Sequence, residues 1–150
     1  MLLVIAGNPD DLAALHPALR SRLRGYGYEI WMRSDMPVDA ESTAALQRFV
    51  AQEIARDGRI PHFNGAAVTE ILQAARINSA SNSDGDTSTP RYTLRLRELG
   101  GLVRLAGDLA ISAGADPVTE EHVRRAVALR ASNDRTRARH TREFDPESEL

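Results

Sequence analysis

The chain lacks both lysine and cysteine, so all 19 of its Lys and Arg positions are arginine. Without lysine it cannot complete a Walker A loop, in which a lysine contacts the β- and γ-phosphates. A Ser-Lys peptidase and a Schiff-base enzyme are excluded for the same reason. Without cysteine, disulfides and thiolate metal sites are excluded as well.

Long apolar runs and an excess of one charge are also missing. The formal net charge is −2 and the sequence pI is about 6.1, so charge does not favour nucleic acid or an anionic membrane as a partner. The longest apolar runs, such as MLLVIAG at residues 1–7, are too short to span a bilayer. We therefore expect no nucleic-acid contact, no direct membrane contact and only local recognition of anions.

The first 36 residues have the pattern of two β-strands joined through a short helix. Residues 2–8 are a continuous apolar run that ends at glycine and asparagine, which is typical of a buried parallel strand. Residues 26–32, YGYEIWM, alternate large apolar side chains with others and predict a second strand. We expect residues 1–36 to be an incomplete α/β subdomain with two strands of a parallel sheet.

The rest of the chain has the periodicity of a mainly α, four-helix domain. Apolar residues recur at helical spacing after Asp39, Asn64, Thr93 and Thr119, and all but Thr93 are candidate N-caps. The pattern predicts a helical subdomain over residues 37–131.

Two polar segments interrupt or follow these helices. Residues 78–91 are rich in Ser, Asn, Asp and Gly and predict a surface loop. Residues 132–150 are polar and charged, and we expect a disordered tail or a linker.

Asn8 is the first candidate functional residue. It stands where a buried strand ends, and in an open α/β sheet ligands bind at that edge. An amide there can hold a water or a phosphate oxygen. The alternative is that Asn8 only initiates a turn with the proline that follows it.

Arg20, Arg22 and Arg24 form a second candidate group. Arg20 and Arg24 share one face of the predicted helix, whereas Arg22 points away from them. A planar, permanently charged guanidinium matches phosphate oxygens well, so one of these arginines can reach a neighbouring subunit's ligand. The alternative is a solvated surface cluster.

Arg95 and Arg97 are the third candidate group, in the first turn of the third predicted helix. Cations are disfavoured there by the helix dipole, but an arginine beside free N–H groups is well placed to meet an anion. The alternative is an exposed arginine paired with Glu98. No metal site is expected, because the histidines lack ligand spacing. They are His16, His62, His122 and His140.

The order of these features resembles the second half of an AAA+ ATPase module. Three segments are similar to the archaeal-type Lon protease family, LonB, over roughly residues 3–130. The segments are GNPDDLAALHPALRSRLRGYGYEIWM, RFVAQEIARDGRIPHF and YTLRLRELGGLVRLAGDLA. Walker A, Walker B and the Ser-Lys protease domain of that family have no counterpart in this sequence.

The resemblance implies a role for each candidate residue. Asn8 resembles sensor 1, which helps to orient the attacking water. Arg22 resembles the arginine finger that completes the neighbouring subunit's ATP site, with Arg20 as its alternative. Arg97 resembles sensor 2, through which the lid feels the nucleotide, with Arg95 as its alternative.

The resemblance also implies what surrounds the chain. We expect a fragment of an ATP-dependent serine protease, cytoplasmic, whose hexameric ring unfolds and degrades proteins. ATP with Mg²⁺ would bind the assembled parent, and this chain alone would bind neither and be inactive. Its partners would be other ring subunits, the missing Walker and protease portions, and unfolded protein substrates. Any membrane anchor of the parent would lie upstream of Met1.

Two other readings remain open at the level of the sequence. The chain could be the equivalent half-module of a magnesium-chelatase-like or helicase-like AAA+ ATPase. It could also be a free-standing helical interaction module.

Overall fold

The computed structural model describes Val4, Ala6, Gly7 and residues 15–82 and 90–143, with side chains omitted for 77–82 and 137–143. The chain divides into two compact units, Met1–Met32 and Arg33–Leu150. Each unit is described by itself. The division comes shortly before the predicted boundary after residue 36.

Helix α1, Pro17–Tyr26, is the regular element of the first unit in the described part of the chain. Pro17 occupies its first turn, where a missing N–H costs nothing. The His16 side chain caps the helix, because its Nδ1 accepts the Ala18 N–H at 3.3 Å. The predicted short helix bearing the three arginines is therefore present.

The predicted second strand, residues 26–32, is wrong. Residues 27–33 have no regular structure, and Tyr28 and Met32 are 99% and 85% exposed. A strand is stable only when a neighbouring strand satisfies its backbone groups, and the described residues provide none for this segment. The first predicted strand, residues 2–8, falls largely outside the described residues.

The second unit is mainly helical with a small antiparallel strand pair. Asp35 of one strand lies opposite Thr93 of the other, and Arg91 Nε donates to the Asp35 carboxylate. The predicted fold class, a small strand component followed by a mainly α domain, is confirmed. The strands themselves are antiparallel and not those predicted. The elements are β1 Asp35–Pro37, α2 Ala40–Asp57, α3 Gly65–Asn82, β2 Arg91–Thr93, α4 Leu96–Ser112 and α5 Glu120–Glu143.

The caps predicted at Asp39 and Asn64 form, whereas α4 has Arg95 as its N-cap residue and no side-chain cap. The Asp39 carboxylate accepts the Ser42 N–H at 2.7 Å, and Asn64 Oδ1 accepts the Ala67 N–H at 2.7 Å. Gly58 ends α2 with a φ of 71°, a conformation that glycine adopts without strain. These local signals explain why the predicted starts of α2 and α3 are correct.

The core lies among α2, α3, α4 and α5, with Tyr92 of β2 buried beside them. Alanines at several fully buried positions let the helices approach closely. The apolar positions that the helical spacing predicted are buried or packed against the core. The fully buried core residues include Ala67, Ile71, Ala75, Leu99, Val103, Ala106, Ala110, Val118, Val123 and Ala126.

Two predicted polar segments are more helical than expected. Helix α3 continues to Asn82, into the predicted loop 78–91, whose residues 83–89 lie outside the described part. Helix α5 continues to Glu143, so the disorder expected from residue 132 is wrong as far as 143. Neither glycine nor proline interrupts residues 118–143, so nothing in that stretch stops the helix.

Gly107 of α4 is required by a close approach. A Cβ there would clash with the Cβ and Cγ2 of Ile60. Gly101, on the same helix, has no atom within 4 Å of the corresponding position. Both glycines lie within the same helix, but another residue packs closely against Gly107 and no described residue packs against Gly101.

We expect G107A to lower the free energy of unfolding by about 1–3 kcal/mol, because the added methyl overpacks the core. The matched variant G101A should raise it by about 0.5–1 kcal/mol, since alanine is the better helix former and meets open space. Urea unfolding of the chain, followed by circular dichroism, measures both. Equal effects of the two substitutions would contradict the close packing of Gly107 on Ile60.

The cap at Asp39 predicts an acid-dependent loss of stability. The Ser42 N–H, followed by the Ser42 hydroxyl, lowers the pKa of Asp39 below its ordinary value of 3.8. Because the folded pKa is the lower one, this stabilisation is complete above the unfolded pKa and is lost as pH falls through the folded pKa. We expect D39N, which caps without titrating, to lose less thermal stability below pH 3.8 than the unchanged chain. Thermal melts that shift equally in both proteins on acidification would contradict this.

Candidate functional site

Arg20 and Arg22 both lie on α1, but in different surroundings. Arg22 is exposed, and within the described part of the chain no side chain pairs with its guanidinium. Arg20 is half-buried, and its Nε is removed from solvent with no hydrogen-bond partner among the described residues. Arg24, in the last turn, pairs with Glu29 at 3.2 Å. Of the three arginines, Arg22 is thus the exposed one that has no partner among the described residues.

Asn8, the candidate at the end of the first strand, lies outside the described residues. The structure gives no account of it. Arg22 and Arg97 belong to different units of the chain, Met1–Met32 and Arg33–Leu150.

Arg95 and Arg97 lie together at the start of α4. Arg95 is the N-cap residue, and its backbone N–H donates to the Thr93 hydroxyl at 3.1 Å. Its guanidinium pairs with Glu98 at 3.3 Å, as the alternative reading expected for one of these arginines. Arg97 is exposed, and no described residue pairs with its guanidinium.

The backbone of this turn also has an open donor at Arg97. The N–H of Leu96 donates to Leu94 and that of Glu98 to Arg95, at 2.8 and 3.0 Å. Among the described residues, the N–H of Arg97 has no acceptor. The first N–H groups of a helix carry a partial positive charge and attract anions. An open N–H and a free guanidinium therefore belong to the same residue.

Sequence reasoning missed one residue at this turn, Arg130 of α5. It is half-buried, and its Nη1 donates to the backbone carbonyl of Glu98. The contact joins residues 32 positions apart, so no local spacing could have pointed to it. Arg130 brings a further positive charge to the turn that contains Arg97.

An apolar groove lies elsewhere in the same unit. It has a volume of about 440 Å³ and lies between α2 and the start of α3. Its wall includes Val50, Ile54, Phe63 and Val68 and none of the candidate arginines. Recognition of an anion by Arg97 would therefore take place at the exposed start of α4 and not in this groove.

The described residues contain no group of three or more His, Asp or Glu side chains arranged to hold a metal ion. None of their helices combines the length and apolar character needed to cross a membrane.

Comparison with known proteins gives clear relatives. No protein-family model matches the chain. The Archaeal Lon protease of Archaeoglobus fulgidus is 53% identical over 128 residues, which cover 85% of this chain and 20% of that protein. The Archaeal Lon protease of Pyrococcus abyssi is 48% identical over 128 residues, 85% of this chain and 12% of that protein.

The name of a third relative describes it as a homolog. The Putative lon protease homolog of Methanothermobacter thermautotrophicus is 42% identical over 132 residues, 85% of this chain and 26% of that protein. The chain thus spans between about an eighth and a quarter of the length of these curated relatives. Identity of this degree over most of the chain shows that it belongs to the archaeal Lon protease family.

Proposed function

We propose that this chain supplies the nucleotide-sensing and lid portion of an ATP-dependent Lon-type serine protease. In the proposal, residues 1–36 complete an AAA+ α/β subdomain and residues 37–131 form its helical lid. Other parts of the parent supply the Walker motifs and the Ser-Lys dyad. The observation that carries the proposal is Arg97, whose unpaired guanidinium and open N–H lie at one helix N-terminus.

Arg97 is the proposed sensor 2 residue. Its guanidinium has no partner among the described residues, whereas that of Arg95 is paired with Glu98 at 3.3 Å. A phosphate group that reaches this turn can accept from a charged fork and a backbone N–H together. These contacts favour Arg97 over Arg95 as the residue through which the lid responds to nucleotide.

Arg22 is the proposed arginine finger. A finger must leave its own subunit and meet phosphate in the neighbouring one, so it needs an exposed and unengaged guanidinium. Arg22 meets both requirements, whereas Arg20 is half-buried and Arg24 is paired with Glu29. A finger acting in trans requires an oligomer, and we propose the hexameric ring of the family. Asn8 keeps its proposed role as sensor 1 on the resemblance alone.

The described residues can bind the phosphate groups of ATP, but they cannot hold the Mg²⁺ ion that accompanies it. Arg97 can bind an anion, and no described acidic cluster can hold Mg²⁺. Bound ATP would supply the phosphoryl group whose hydrolysis drives unfolding, and Mg²⁺ would be held by portions of the parent outside this chain. The residues here bind and orient phosphate and offset its negative charge.

The remaining parts of the proposal concern the parent. Its partners would be the other ring subunits and unfolded protein substrates, with no nucleic acid and no direct membrane contact through this chain. We propose a cytoplasmic location, with any membrane anchor carried by other segments of the parent.

A chimera tests the role of Arg97. In it, this chain replaces the stretch that it matches in the Archaeoglobus fulgidus protein. We expect R97A to raise the KM for ATP by about tenfold or more, because a charge-assisted contact to phosphate is lost. R95A is the matched control on the same turn and should change the KM much less. Steady-state ATP hydrolysis measures both, and the reverse order would make Arg95 the sensor.

The same chimera tests Arg22. We expect R22A to lower kcat for ATP hydrolysis by about 10³-fold or more while nucleotide binding persists, as for an arginine finger. R24A, on the same helix but engaged with Glu29, is the control and should keep most of the activity. Binding is measured with a fluorescent ATP analogue. Lost binding with unchanged turnover per bound nucleotide would contradict the finger role.

A further inference from the structure

Arg130 links the last helix to the turn that contains Arg97. Its guanidinium is half-buried and donates through Nη1 to the carbonyl of Glu98, the residue next to Arg97. In a regular helix this carbonyl already accepts the N–H four residues further on. Among the described hydrogen bonds, this is the one that joins a side chain of another helix to the backbone of α4.

Glu98 is engaged at both ends. Its carboxylate pairs with Arg95 at 3.3 Å while its carbonyl accepts from Arg130. Arg95 and Glu98 are therefore both engaged, and the Arg97 guanidinium is left free within the described part of the chain. Of the three guanidinium groups at this turn, that of Arg97 is the one without a described partner.

The charges at this turn favour an incoming anion. Arg95, Arg97 and Arg130 bring three positive charges to a helix N-terminus, where the dipole already disfavours cations. Glu98 supplies one carboxylate, and it is committed to Arg95. Phosphate bound by Arg97 would offset the remaining charge.

We propose that Arg130 is a positioning residue for nucleotide sensing, which holds the first turn of α4 so that Arg97 meets phosphate in the correct direction. The proposal rests on the proposed sensor role of Arg97. Arg130 acts through the Glu98 carbonyl and does not itself contact nucleotide.

Arg124 provides a matched control on the same helix. It pairs with Glu70 of α3 at 2.6 Å, and this pairing raises the pKa of Arg124. Both arginines therefore join α5 to another helix, but only Arg130 reaches the first turn of α4.

The first experiment uses the 150-residue chain itself. Hydrogen exchange with mass spectrometry compares R130Q and R124Q with the unchanged chain. We expect R130Q to speed exchange at residues 99–104 by about tenfold, because a charge-assisted bond to the turn is lost. R124Q should leave those amides unchanged. Equal exchange in R130Q and the unchanged chain would overturn the proposal.

The second experiment uses the chimera and separates binding from turnover. We expect R130Q to raise the KM for ATP by about threefold to thirtyfold with kcat nearly unchanged, in the range of coupling changes for residues that contact no ligand. R130K, which keeps a charged donor, should recover part of the lost affinity. R124Q should match the unchanged chimera.

The outcomes distinguish this proposal from the proposed function. If R97A raises the KM while R130Q behaves like R124Q, the positioning role of Arg130 is wrong and the sensor role stands. If R97A leaves the KM unchanged, the sensor role is wrong, whatever R130Q does to exchange in the isolated chain. A fall in kcat with unchanged KM in R130Q would also contradict the positioning role.

Discussion

The packing of α4 is the constraint on which the second unit depends. Leu99, Val103, Ala106 and Ala110 along its inner face are fully buried, and α2, α3 and α5 all contact this helix. Gly107 allows Ile60 to lie directly against it. Because the inner face is held from several sides, the direction of the helix is fixed. Its first turn is then presented to solvent in one orientation, with Arg97 outward.

Helix starts were predictable because their signals are local. Asp39 and Asn64 each accept an N–H three residues further on, and that arrangement depends on only a few consecutive positions. The strand expected at residues 26–32 was not predictable in this way. Its alternation of side chains describes a strand only when another strand is present, and pairing is a property of the tertiary structure. The end of α5 lies beyond the expected position because a polar composition alone does not stop a helix that contains neither glycine nor proline.

The candidate site also contains some residues that the sequence indicates and one that only the tertiary structure reveals. The residue type and position of Arg95 and Arg97 could be taken from the sequence, since both fall in the first turn of a helix with a clear apolar stripe. The choice between them depends on the Glu98 side chain, which lies three residues after Arg95 and pairs with it, at a spacing that brings side chains together on a helix. Arg130 could not be found from the sequence, because its partner is 32 residues earlier and on another helix. A local pair with Glu98 engages Arg95 and a tertiary contact engages Arg130, so Arg97 is left without a partner among the described residues.

The length of α5 has a mechanical consequence. Among the residues of this helix whose burial is described, up to residue 136, the last fully buried one is Ala126, and the helix runs on to Glu143. Beyond Arg130 it extends for about 20 Å at 1.5 Å per residue. A rigid rod of that length moves its far end by roughly 0.3 Å for each degree of tilt about its base, given the rise per residue of a helix. Arg130 stands at that base, so a tilt of the distal part of α5 would be transmitted to the turn that bears Arg97 through the contact between Arg130 and Glu98.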